Sequence, residues 1–129
     1  MSVLLPNTAF AGNSTVIGTH QRGDGYYGRS DGLHTVAWNV VNFVGTIKIQ
    51  GSLALEPLSE DWFDIPLGTV DDYTLDVNGK LLRNFATEIV YSVPTTDAKI
   101  YNFTGNYVWV RAAVENFSAG TVTRIQYNH

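Results

Sequence analysis

Acid–base or metal chemistry in this chain would rest on twelve carboxylates and three histidines, because cysteine is absent. A glycosidase holds two carboxyl groups several ångströms apart across a cleft. Glu60, Asp61 and Asp64 are too close in sequence to suggest that separation, and Asp61, just before Trp62, reads as a turn residue. Asp71 and Asp72 point to opposite faces if they sit in a strand. Glu115 stands alone on an aromatic strand face. The spacing therefore argues against a hydrolase, and no catalytic residues are assigned.

Among His20, His34 and His129, no pair has metal-ligand spacing. His34 falls in register with Val36 and Trp38 and reads as a structural histidine near a sheet end. His129 reads as part of a frayed end. Asp24 and Asp31 could offer oxygens to a Ca²⁺ ion beside loop carbonyls, but they lack the dense spacing of a dedicated loop. Arg22-Gly23-Asp24 matches an adhesion tripeptide and is better explained as turn chemistry. No cofactor and no metal are expected.

Aromatic residues form the one constellation with content, three tryptophans and seven tyrosines. Trp38 alternates with Val36 and Val40 and belongs to a core. From Asn106 to Glu115 the chain alternates without a break, with Val108, Val110, Ala112 and Val114 on one side. Tyr107, Trp109, Arg111 and Glu115 occupy the other. A strand that has buried its aliphatic face leaves Tyr107 and Trp109 to meet a partner, an arm of the chain, or a sugar ring. Interface or glycan candidates are Tyr107, Trp109 and Arg111, with Tyr26 and Tyr27 in a glycine-rich loop and Leu4, Leu5 and Phe10 in the N-terminal segment.

The elements that would position these residues are strands. Ser14–Gly18, Leu33–Val41, Val44–Leu53, Trp62–Ile65, Val70–Val77, Phe85–Val93, Ala98–Phe103, Asn106–Glu115 and Thr121–Tyr127 all carry strand patterning. In Val44–Leu53, Ile47, Ile49 and Leu53 are expected inward, with Thr46, Lys48 and Gln50 outward. Tyr73, Leu75 and Val77 share a face. Asn42-Phe43 reads as a tight connection, Asn78-Gly79 as a type I′ turn, and Asn116 to Gly120 as a loop. Pro66 and Pro94 end strands, and Pro57 limits the segment Glu56–Glu60 to a helical turn. This pattern predicts an all-β fold, an antiparallel β-sandwich or jelly roll of eight to nine short strands with little or no helix. Residues 1–13 read as an arm suited to a sheet edge, and residues 14–129 as a single domain.

With 129 residues and 44% apolar content, the chain suits one globular domain. No apolar run approaches the ~20 residues of a membrane span, and Met1–Pro6 lacks the basic start of a secretory signal. The sequons at Asn13, Asn102 and Asn116 are then by-products of composition. Net charge is -4 with a pI of about 5.1 and scattered cations, so no nucleic-acid surface is expected.

Two pairs of segments resemble a known class. Val44-Gly-Thr-Ile-Lys-Ile-Gln-Gly-Ser-Leu53 is followed by Asp61-Trp-Phe-Asp-Ile65, and Gly105-Asn-Tyr-Val-Trp-Val-Arg111 by Gly120-Thr-Val-Thr-Arg-Ile125. This order, over about residues 35–128, resembles small β-sandwich virion proteins of tailed bacteriophages. The segment between Leu53 and Asp61 departs from the commoner Asp-Gly turn. The resemblance implies a non-enzymatic virion structural protein, a capsid decoration or a neck, tail or fibre component. It would be made in the host cytoplasm and act through other virion proteins and copies of itself, with no membrane insertion. The alternative is a carbohydrate-binding module recognising a host surface glycan.

Overall fold

A computed structural model describes residues 2–6, 8–9, 15–28, 32–75, 78 and 81–129, with side chains except at 2, 9, 69–75 and 81–85. Phe10, Asp31, Val77 and Gly79 lie outside the described residues, as do the side chains of Asp71, Asp72, Tyr73, Leu75 and Phe85.

The fold is all-β and antiparallel. Its strands are β1 (Ser2–Leu5), β2 (Thr8–Ala9), β3 (Val16–Ile17), β4 (Gln21–Arg22), β5 (Leu33–Ser52), β6 (Phe63–Asp64), β7 (Leu67–Leu75), β8 (Leu81–Ala86), β9 (Ile89–Thr104) and β10 (Trp109–Asn128). Helical structure among the described residues is limited to two 3₁₀ turns, Asp24–Tyr27 and Ser59–Asp61. The sheet order is β1-β10-β5-β9-β7-β8, and the sheet curls strongly around one core.

The centre of the sheet differs from the expected run of short strands. β5 and β10 are 20 residues each, and β9 is 16. Asn42-Phe43, Asn116 to Gly120 and Pro94 do not close hairpins or end strands. They lie in or beside ladder irregularities, between Val40 and Gly45 in β5 and between Glu115 and Thr121 in β10. Asn42 and Asn116 take left-handed φ values of 49° and 52°, and Gly120 sits at 94°. A bulge inserts a residue, bends the strand and keeps the ladder, so it uses the same residue types as a turn.

The bulge also reverses side-chain parity. Val36, Trp38 and Val40 face the core before it, and Phe43, Ile47 and Ile49 after it, all at most 2% exposed. Phe43 and Phe117 fill the bend, with Gly45 between them: a Cβ there would lie 2.6 Å from Phe43 Cζ and 2.9 Å from Phe117 Cβ. Two inward–outward expectations fail here. Thr46 is buried at 6%, and Leu53, just past the end of β5, is 68% exposed.

The N-terminal segment is a broken edge strand. β1, β2, β3 and β4 pair in succession along β10, at Ile125–Tyr127, Thr121–Val122, Ala113–Val114 and Trp109–Val110. Leu4 and Leu5 are 0% and 4% exposed in the chain's own core, so neither is available for docking. On the far side, β7 joins β9 through Gly68 opposite Asn102.

Candidate functional site: an aromatic surface around Trp109

β4 and the short strand β6 bring two loops over the start of β10. Gly23 and Gly25 donate backbone hydrogen bonds to Val108 and Tyr107, and Val108 donates to Ser52. These contacts place residues 20–28 on one flank of Trp109 and residues 53–62 on the other.

Trp109 is thereby covered by its own chain. His20 packs edge-on at 4.6 Å between centroids, Tyr26 lies at 5.2 Å, and the indole Nε1–H donates to Leu55 O at 2.9 Å. Trp62 sits 5.9 Å beyond His20, with the Arg111 guanidinium 4.1 Å above its ring. Arg22 caps Tyr26 at 4.5 Å, and Tyr26 meets Tyr27 edge-on. The expectation of an uncovered Tyr107–Trp109 face is therefore corrected for Trp109: it is only partly exposed before any partner arrives.

Tyr107 leaves that face altogether. β10 begins at Trp109, after Gly105 at φ 151°, so the alternation read back to Asn106 breaks. The Tyr107 ring lies over two glycines, and a Cβ on Gly51 or Gly105 would come within 2.4 or 2.3 Å of it. It packs against the core beside His34 and Phe103, and burial pushes its phenol up.

Behind the surface the rings continue inward. Tyr27 stacks on His129 at 5.7 Å, His129 on Tyr127 at 5.5 Å, and His34 on Phe103 at 4.7 Å with planes 4° apart. His34 is 0% exposed and saturated. Its Nε2 lies 2.7 Å from Gly105 O, which can only accept, so that nitrogen carries the proton. Nδ1 then accepts from the Tyr127 hydroxyl at 2.7 Å. Burial outweighs the Gly105 bond and the Asp24 charge and holds His34 below its ordinary 6.5. Burial also pushes the Tyr127 phenol well up.

His129 is not frayed: its Nδ1 pairs with Asp24 Oδ1 at 2.6 Å. Asp24, 4% exposed, is occupied by that contact. Burial alone would raise its carboxyl, but the His129 hydrogen bond, histidine charge and the Gly32 N–H together hold it below 3.8. The Ca²⁺ idea fits this poorly, since Asp24 faces a histidine rather than an open loop. Among the described residues no three His, Asp or Glu side chains gather as metal ligands.

The carboxylates near Trp62 also have structural employment. Asp61 accepts from the Leu58 N–H at 2.8 Å, making the turn. Asp64 accepts from Gln50 Nε2 at 2.9 Å, Gln50 accepts from Arg111 Nε at 2.9 Å, and Lys48 reaches Glu115 at 3.2 Å. Burial would lower Lys48, but Glu115 and Asp64 outweigh it and hold it above its ordinary value.

Of the sequence candidates, the structure gathers Trp109, Tyr26 and Tyr27 directly and joins Arg111 through Trp62 and His20. Tyr107, Leu4 and Leu5 lie elsewhere. His20, Arg22, Trp62 and His129 are not among the interface or glycan candidates the sequence offers, because what joins them to Trp109 is contact between segments far apart in the chain. A second surface was also missed. Leu53, Leu55, Leu58 and Phe63, in and beside the connection from β5 to β6, are 63–68% exposed.

No protein-family model, curated protein or solved structure matches this chain.

Proposed function

We propose that this chain is a non-enzymatic structural protein of a tailed-phage virion, serving as a capsid decoration or a neck, tail or fibre component. It works by protein–protein assembly with other virion proteins and with copies of itself. The observation that carries the assembly half of this reading is the apolar rim from Leu53 to Phe63. Four large apolar side chains more than 60% exposed within one short connection are a contact surface in search of a partner. The virion half rests on the strand and turn resemblance of residues 35–128.

The rim replaces the Trp109 face as the docking surface, because Trp109 is already covered by residues 20–28 and 53–62. Leu55 and Phe63 are 68% and 63% exposed, so aspartate at either position should leave the fold intact. Sedimentation velocity across a concentration series, with co-sedimentation on particles lacking the chain, tests the reading. The wild type is expected to self-associate or bind particles, and Leu55→Asp/Phe63→Asp to do neither while keeping its near-UV spectrum. A wild type that stays monomeric and ignores particles would refute it.

A further inference from the structure

A cleft of about 420 Å³ opens beside Trp109, on the opposite flank from Leu55 and its neighbours' loop. His20, Arg22, Tyr27, Trp109 and His129 line it, together with the polar side chains of Thr19 and Gln21. The volume falls in the range of about 300–1,000 Å³ common for small-ligand sites.

Two ring pairs border this space, His20 against Trp109 and Tyr27 against His129. Tyr27 is 48% exposed, and His20 and Arg22 are exposed as well. Aromatic faces set among hydroxyl and amide groups suit a ligand that is apolar on one face and hydrogen-bonding at its edge. A pyranose ring has that form. Gln21 already donates to Val3 O at 3.3 Å, but a purely aliphatic ligand would leave the Thr19 hydroxyl without a partner, at a desolvation cost.

Charge narrows the class. The lining holds a guanidinium and two imidazoles, and no Asp or Glu side chain among the described residues. Arg22 has no carboxylate partner among them; its guanidinium is steadied over Tyr26 at 4.5 Å. Asp24, behind His129, is buried and engaged with that ring. We infer that this cleft binds an anionic saccharide, a sugar ring bearing a carboxylate, stacked on the exposed Tyr27 ring beside the edge of Trp109 and paired with Arg22.

The site is separate from the apolar rim, so its failure and that of the assembly reading are distinguishable. The test is a heteronuclear NMR titration of the protein with the α-methyl glycoside of N-acetylneuraminic acid, a galacturonic acid trimer and neutral methyl galactoside. The readout is the Trp109 indole N–H. A saturable shift is expected with at least one acidic probe at millimolar concentration, and a much weaker one with the neutral sugar. Arg22→Gln should weaken the acidic sugar about tenfold, as for one charge-assisted hydrogen bond. Tyr27→Ala should abolish binding while the core resonances of the folded chain persist, with shifts confined to the neighbours of the lost ring such as Tyr26 and His129, and Leu55→Asp/Phe63→Asp should bind like wild type. No shift with either acidic probe, equal binding of the neutral sugar, or undiminished binding by Arg22→Gln would each overturn the proposal.

Discussion

At the scale of single residues, His34 shows how a core histidine is fixed by its partners. Both ring nitrogens are committed, one to Gly105 O and one to Tyr127, and charging the ring would bury a cation. A histidine held below its ordinary value binds its proton more readily when unfolded, so stability rises with pH. The contribution is present above 6.5 and is lost as pH falls toward the folded value. Asp24 adds the same sign at lower pH, its share being present above 3.8 and lost as pH falls through its depressed value. In NMR titration the His34 ring should still be mainly neutral at pH 6.5, and urea unfolding should show the wild-type advantage over His34→Gln shrinking as pH falls below 6.5. An ordinary titration curve for His34 would contradict this. Trp38, 2% exposed and donating to the Tyr91 hydroxyl at 3.2 Å, is a core anchor. Trp38→Ala is expected to cost about 3–5 kcal/mol in equilibrium unfolding. A cost under about 1 kcal/mol is the range of surface substitutions and would contradict its burial.

At the scale of elements, the bends of β5 and β10 decide the fold. Gly120 combines a φ of 94° with a backbone approach in which a Cβ would lie 2.3 Å from Asn42 O. Gly120→Ala should therefore destabilise by about 1–3 kcal/mol, a strained left-handed backbone with a clash added. Asn42→Gly, which keeps the left-handed φ accessible, should be near neutral, and Asn42→Val should not. Equal melting temperatures for Gly120→Ala and wild type would contradict the bulge geometry. These positions also explain what the chain discloses unaided. Alternation at Val36–Trp38–Val40 and Val110–Ala112–Val114 makes the strands and their inner faces legible. It does not distinguish a hairpin from a bulge, because Asn, Gly and Pro serve both, and hence two 20-residue strands read as four short ones. Tyr107 was misplaced for a related reason: periodicity continues through a residue whose backbone has already left the ladder.

At the scale of the whole molecule, a curled sheet with one core leaves its chemistry to the loops at its ends. Trp109, Tyr26 and Tyr27 were recognisable as exposed or unclaimed aromatics, whereas His20, Trp62 and His129 join them only through long-range pairing. The apolar rim from Leu53 to Phe63 was likewise illegible, since Leu53 continues the β5 pattern in sequence and escapes it in space. The proposed role as a virion component through that rim is tested most directly by quantitative mass spectrometry of density-purified particles from a culture producing the chain. The protein is expected at a fixed copy number per particle, retained through washing, with Leu55→Asp/Phe63→Asp depleted from particles but present in the lysate. Particles free of the wild-type chain would contradict it.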